Sequence, residues 1–352
     1  MASFTCCGQC LWVGTLLLCL MASYAASRHL TPADVVPGED MSMEERHKQW
    51  IARHGRTYKD EAEKMHRLAL FRRNVEYVES FNRDGGGRGY KLTVNQFADL
   101  SEEEFTTSNY GLRSLADVTA PTGAFSYSNN ISDQDLPSYK DWREEGAVTE
   151  VKNQRSCGCC WAFAAVAATE GITQIQTGKL ISLSEQQLVD CDTATGNQGC
   201  DGGLAARAFL YIESNGLTTE DEYPYQAEAS GRCALASSAA ATITGHEIVT
   251  PNNEQALLSA VAQQPVAVRI AAGSQDFHLY GGGVFTGGCG SQTNHAVTIV
   301  GYGTAADGIK YWIAKNSWGT DWGEDGYMRI QRDSEDERGI CLLATYPSYP
   351  VA

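Results

Sequence analysis

Three segments far apart in the chain carry the residue types needed for chemistry through a cysteine nucleophile. They are NQRSCGCCWAF (153–163), TNHAV (293–297) and KNSWGTDWG (315–323). A thiol nucleophile needs a base, the base needs a group to orient it, and a developing oxyanion needs a donor. Cys160, His295, Asn316 and Gln154 are residues of those four kinds. Cys160 stands at the head of the Ala-rich run CWAFAAVAATEGI, which reads as a buried helix ending near Gly178. A thiol at a helix N-terminus meets the positive end of the dipole and open amides, and both favour the thiolate. A metal site built on Cys157, Cys159 and Cys160 is the competing reading. The adjacent pair Cys159–Cys160 does not have the usual C-x-x-C spacing, so no metal is expected.

These side chains have to be held by particular elements. His295 enters a strand in which Ala296, Thr298 and Val300 alternate with Val297 and Ile299. In residues 265–270, Val266, Val268 and Ile270 share one face, leaving Ala267 and Arg269 on the other. Helical patterns at 160–178 and 184–190 precede strand patterns at 266–270 and 295–300. That order predicts an α+β fold in two subdomains that face each other across a cleft. Further upstream, Glu63, Arg67, Phe71, Asn74, Val78 and Asn82 recur every three or four residues and lie along one face of a long helix. Glu, Arg and Asn are unusual on a packing face.

The 352 residues exceed one typical domain, and a formal charge of −16 argues against a nucleic-acid binder. The apolar run at 11–20, with Ser23 and Ala25 placed for cleavage, predicts a signal peptide over 1–25, although Lys and Arg are absent before it. That run is shorter than the ~20 apolar residues of a membrane span, and no later segment is long enough. Four of the twelve cysteines, Cys6, Cys7, Cys10 and Cys19, leave with this signal; the other eight all lie from Cys157 onward. An oxidising lumen would pair most of them, and a cysteine nucleophile implies that a second one also stays a thiol. Asn130-Ile131-Ser132 is a glycosylation acceptor, and the C-terminal Tyr349-Pro350-Val351-Ala352 carries no retention signal.

The three segments resemble, nearly letter for letter, the active-site blocks of papain-like cysteine proteases, with Cys159 matching a plant branch similar to senescence-associated vacuolar enzymes. The helical spacing resembles the ERFNIN signature of papain-type propeptides, with Val78 in place of Ile. Asn95, Phe97 and Asp99 resemble the GxNxFxD signature, with Thr93 where glycine is usual. The resemblance implies a two-subdomain fold, helical on one side and β-barrel-like on the other, behind a helical inhibitory propeptide. It places a boundary near Leu136: signal peptide 1–25, propeptide 26–135 and peptidase 136–352.

The resemblance also implies roles. His295 becomes the general base and acid, Asn316 fixes its tautomer under Trp318, and Gln154 joins the Cys160 amide as oxyanion donors. Disulfides would be Cys157–Cys200, Cys191–Cys233 and Cys289–Cys341. Gly202 and Gly203 would pair with extended substrate, and Leu204, Ala205, Arg269, Thr293 and Tyr346 would line the S2 pocket. Arg155 replaces a usual glycine, which implies a slightly altered loop path. Arg269 is expected to lay its stem along the pocket wall with the guanidinium in water; the alternative is a charge that pairs with an acidic or polar P2 side chain. The implied activity is that of an endopeptidase made as a zymogen and working in an acidic compartment of the secretory pathway, vacuole or lysosome, or outside the cell. Its partners would be protein and peptide substrates, its own propeptide and cystatin-type inhibitors, with no cofactor and a monomeric state. Ionised contacts of Glu63, Asp99 and neighbouring carboxylates would hold the propeptide and fail in acid. Three other readings have weaker support. A silent inhibitor or storage protein conflicts with the intact residues. An acyltransferase or transglutaminase needs a carboxylate where Asn316 stands, and an exopeptidase needs an insertion to block the cleft.

Overall fold

The computed structural model describes residues 41–84, 89–109, 136–234 and 238–352. The expected signal segment and Asn130 lie outside them. The N-terminal elements are α1 (Met43–His54), α2 (Glu61–Asp84), β1 (Tyr90–Leu92) and α3 (Glu102–Asn109). Then come β2 (Lys140–Asp141), α4 (Cys160–Thr177), α5 (Glu185–Cys191), α6 (Ala205–Asn215), β3 (Gly245–Ile248) and α7 (Glu254–Val261). The last group is β4 (Val266–Ile270), α8 (Gln275–His278), β5 (Tyr280–Phe285), β6 (His295–Thr304), β7 (Lys310–Lys315), β8 (Tyr327–Gln331) and β9 (Ser348–Val351).

Among the described residues nine strands form one sheet in the order β1-β5-β8-β7-β6-β4-β9-β3, with β2 on β6. Only the β5–β8 pair is parallel. The alternation read in β4 and β6 separates two cores. Val266, Val268, Ile270, Val297 and Ile299 join the aromatic core of Trp312, Trp318, Trp322, Phe277 and Phe285. Ala267 and Ala296 face the other way, into the core built around α4. Small residues there let helix and sheet approach closely. Thr298 Oγ1 donates to the Ala164 carbonyl at 3.3 Å, and a Cβ on Gly171 would lie 2.6 Å from Pro265 Cγ. The helix carrying Cys160 is thereby fixed against the strand carrying His295.

In the N-terminal region the polar face of α2 is explained by what it holds. Asn74 Nδ2 donates to the carbonyls of Ala98 (2.8 Å) and Leu100 (3.1 Å), and Arg67 Nη1 to that of Asp99 (3.2 Å). Asn82 exchanges two hydrogen bonds with the Leu92 backbone, at 2.8 and 2.9 Å. These residues satisfy the backbone of an irregular segment that would otherwise be buried with unpaired groups. The segment in turn binds the C-terminal region. Asn95 Nδ2 donates to the His278 carbonyl (2.7 Å), Gln96 Nε2 to that of Trp318 (2.8 Å), and β1 pairs with β5. Glu63 and Asp99 make their contacts inside their own region, with Arg67 (3.8 Å) for the first and with Tyr58 (2.9 Å) and Arg56 (3.8 Å) for the second. Across the junction Asp276 accepts from the hydroxyls of Tyr77 and Tyr90, and Asp321 lies 3.5 Å from His54 Nδ1.

Asn74→Ala leaves two buried carbonyls short of a donor, which should cost about 1–3 kcal/mol. The change should appear as lower thermal stability of the whole chain. Gln275→Ala, which removes only the Gln275 Nε2 bond to Asn74 Oδ1 (3.0 Å), should cost less. Equal losses in the two variants would contradict this assignment of the Asn74 bonds.

Candidate active site

Cys160 is the first residue of α4, with Cys159 as its N-cap. The preceding loop is pinned in three places. Cys157 is bonded to Cys200, Gly158 N donates to the Cys200 carbonyl (3.0 Å), and Gln154 N donates to the Ser317 carbonyl (2.8 Å). The last bond, with the bridge between Asn153 and Trp318, ties this loop to the one after β7. His295 opens β6, and the antiparallel register Thr298↔Lys315 carries Asn316 back beside it. The other two disulfides are Cys191–Cys233 and Cys289–Cys341.

His295 is fully buried, and its Nε2 lies 2.7 Å from Asn316 Oδ1. The Ser317 amide also donates to that oxygen at 2.8 Å, which fixes the Asn316 carboxamide with its oxygen toward the ring. Nε2 therefore carries the hydrogen, and Nδ1 is the ring atom that can exchange a proton. Trp318 stacks on the imidazole with centroids 4.5 Å apart and is 1% exposed, so it shields the contact from water. Burial lowers the His295 pKa to about 4, with the Asn316 bond acting in the opposite direction. An imidazolium here therefore needs an adjacent anion, and a Cys160 thiolate would supply one.

Gln154 is fully buried, and its amide orientation is fixed at both ends. Nε2 donates to the Cys157 carbonyl (2.9 Å) and Oε1 accepts from Ser317 Oγ (2.6 Å). Arg155 has φ 52°, the left-handed conformation that a glycine takes at little cost. Its amide bonds Asn153 Oδ1 at 2.8 Å, so the arginine keeps the glycine-type turn. The Tyr225 hydroxyl donates to the Gln154 carbonyl at 2.7 Å, so the 2.9 Å contact with Cys159 Sγ has the thiol as donor. Burial pushes the Cys159 pKa up, and it stays a neutral thiol.

Beside the nucleophile, Leu204, Ala205, Ala206, Ile248, Ala267, Arg269, Ala296, Tyr346 and Ser348 are among the residues lining a cavity of about 50 Å³. Thr293 contributes by accepting from Arg269 Nη2 at 2.9 Å. Gly202 and Gly203 are buried next to it, and a Cβ on Gly203 would fall 2.6 Å from the Trp161 ring. The sequence reading missed Ser317, Tyr225, Ile248 and Ser348. Ser317 adjoins Asn316 and could have been found from that position. Tyr225, Ile248 and Ser348 arrive from distant segments without a local signal.

A helix-borne thiol, a strand-borne imidazole, an orienting amide and a second amide near the nucleophile define a thiol hydrolase. The chain belongs to the papain family of cysteine proteases: residues 136–351 match that family, and 47–105 match the cathepsin propeptide inhibitor domain (I29). It is 50% identical over 339 residues to the senescence-specific cysteine protease SAG39 of Oryza sativa subsp. indica, across 95% of this chain and 96% of that protein. To the senescence-specific cysteine protease SAG12 of Arabidopsis thaliana it is 51% identical over 318 residues, across 89% and 91%. Its fold is similar to that of recombinant stem bromelain precursor, with TM-score 0.80 and 42% identity over 88% of this chain and 98% of that one. The Amb a 11 cysteine protease of ragweed pollen, in its proform, gives TM-score 0.80 and 40% identity over 88% and 94%. The chain is a cysteine endopeptidase in zymogen form, with its own I29 propeptide as a partner.

Where no Cys160 anion is present, two histidines are buried neutral and set a pH dependence. His295 is lowered to about 4 and His278 to about 3, both chiefly by burial. Below an unfolded value of roughly 6.5 the unfolded chain binds protons that the folded chain does not. Their contribution is therefore intact above that value and is lost as pH falls through the folded values. In a Cys160→Ser background, which prevents self-processing, thermal stability should fall between pH 7 and pH 4. His278→Leu should flatten that fall; an unchanged slope would show that His278 already titrates in the folded state.

Proposed function

We propose that Cys160 is the nucleophile and His295 its proton-transfer partner. The observation that carries this reading is the Nε2–Oδ1 bond between His295 and Asn316, because it leaves Nδ1 as the ring atom to exchange a proton, and Cys160 is the partner this reading gives it. The thiolate attacks the scissile carbonyl carbon; a C–S bond forms and the carbonyl oxygen takes the electron pair. The Gln154 Nε2–H not used by Cys157, and the Cys160 amide, donate to that oxygen. As the C–N bond breaks, His295 passes its proton to the leaving amine. Water then attacks the thioester as His295 accepts its proton; the C–S bond breaks, its electron pair returns to Cys160 as thiolate, and the acid leaves.

In this reading 1–25 is a signal peptide, 26–135 the propeptide and 136–352 the peptidase, which acts as a monomer and is open to cystatin-type inhibitors. Asn130 carries glycan. The protein works in an acidic part of the secretory pathway, the vacuole, the lysosome or outside the cell. Acid acts on the propeptide's own fold. Burial would raise the Glu104 pKa, but the Ser101 amide and Arg67 (2.8 Å) outweigh it and hold it low. A depressed carboxylate contributes stability above its unfolded pKa and loses it as pH falls through the folded one, so the propeptide loosens on the acid side.

Cys160→Ser should abolish hydrolysis while leaving the zymogen folded. Gln154→Ala should reduce kcat about 10²–10³-fold. Asn316→Ala should be milder than His295→Ala, because it loses orientation and not proton transfer. Acid-activated enzyme titrated with a thiol-directed epoxide gives the active fraction for each comparison. Retained turnover in Cys160→Ser would refute the assignment.

A further inference from the structure

The half-buried Arg269 is tethered at the pocket wall. Nη2 donates to Thr293 Oγ1 at 2.9 Å, and the guanidinium carbon lies 4.7 Å from the centre of the Tyr346 ring. Nε is buried with no acceptor among the described residues. Stacking uses the face of the guanidinium and leaves its in-plane N–H groups to donate. One edge is already held by Thr293, and the Nε–H still needs an acceptor. The remaining wall, from Leu204, Ala205, Ile248, Ala267 and Ala296, is largely apolar and holds no carboxylate, so a counter-charge has to arrive with the substrate. Ser348 also lines the cavity, but its hydroxyl adds no charge. Proximity to the nucleophile fits this placement: a charged Cys160 raises the proton affinity of Arg269, although burial is the larger effect and lowers it.

Size points the same way. The cavity holds about 50 Å³, whereas a benzene-sized group occupies an apolar cavity of roughly 150 Å³. A phenyl side chain would have to displace Arg269 from both Thr293 and Tyr346. A carboxylate on a short stem needs less room, and it completes the donors of a charge that cannot be shed by deprotonation. An uncompensated guanidinium in this pocket is the costly state, and an acidic residue is the substrate group that relieves it most.

We propose that Arg269 makes this peptidase select a carboxylate side chain, Glu or Asp, at the P2 position of its substrates. The proposal rests on Cys160 being the nucleophile, which places this cavity one residue upstream of the scissile residue.

Acid-activated enzyme and its Arg269→Ala, Arg269→Met and Arg269→Lys variants should be assayed on one peptide series with Glu, Gln, Leu or Phe at P2. Each rate is normalised to active sites titrated with the thiol-directed epoxide. Wild type should give a higher kcat/KM for Glu than for Phe, with Gln between them. The Glu/Phe ratio should fall about 100-fold in Arg269→Ala and Arg269→Met, as expected when one partner of a desolvated charge pair is removed. Arg269→Lys should keep part of the preference. The methionine variant preserves the apolar stem, so a ratio that falls in Ala but not in Met would mean that shape, not charge, sets the preference and would overturn the proposal. So would a ratio within twofold of wild type in both neutral variants, or a wild type that favours Phe or Leu. A wild type inert to the epoxide would instead refute the nucleophile assignment on which the proposal depends.

Discussion

An imidazole without contact to water has to be told which of its nitrogens carries the proton, and the bond from His295 to Asn316 does that. Several features of the fold bear on this one contact. The β6–β7 register brings Asn316 back to the strand entry, Ser317 N–H fixes the amide orientation, and Trp318 closes the contact from above. Burial works against protonating the ring, so a charged imidazole is tolerable only with an anion beside it. α4 is the element from which that anion would come, held to β6 by small residues and by Pro265 against Gly171. The close packing of helix on strand is therefore what sets the distance between Cys160 and His295.

The N-terminal region uses the same roof as its docking platform. Phe97 and Phe105 meet the Trp318 ring edge-on at 5.7 and 5.2 Å, and Gln96 bonds the Trp318 carbonyl. The N-terminal region and the candidate site thus share one residue, Trp318, whose inner face lies on His295. The polar face of α2 serves this docking indirectly, by holding an irregular segment in the shape that fits. The proposed loosening in acid acts on carboxylate contacts inside this region, such as Glu104 with Arg67, and asks for no change in the peptidase itself.

Much of this was legible from residue order. The alternation in β4 and β6 assigned Val266 and Ala267 to opposite sides correctly, and Cys160 stands at the start of its helix as its sequence context required. The periodic face of α2 was also readable, but its purpose was not. Asn74, Arg67 and Asn82 bind backbone carbonyls and amides, and backbone acceptors leave no trace in side-chain patterns. The same limit applies to Tyr225 and Ser348, which reach the site through tertiary folding alone. Arg269 lies on the face of β4 that lines the cavity, but the Thr293 bond and the Tyr346 stacking of its guanidinium were not legible. The reason is that Thr293 and Tyr346 reach the guanidinium from other segments of the chain.

The central claim is that Cys160 and His295 form a charge pair whose geometry Asn316 maintains. The most direct measurement is the rate of Cys160 alkylation by uncharged iodoacetamide in activated enzyme, followed across pH. Cys159 should remain a silent thiol in this experiment, since burial keeps it protonated. If the pair exists, alkylation should stay fast well below an ordinary thiol pKa of about 8.5, with its inflection on the acid side of neutrality. A single inflection near 8.5 would mean that Cys160 titrates as an isolated thiol, and the account would be wrong.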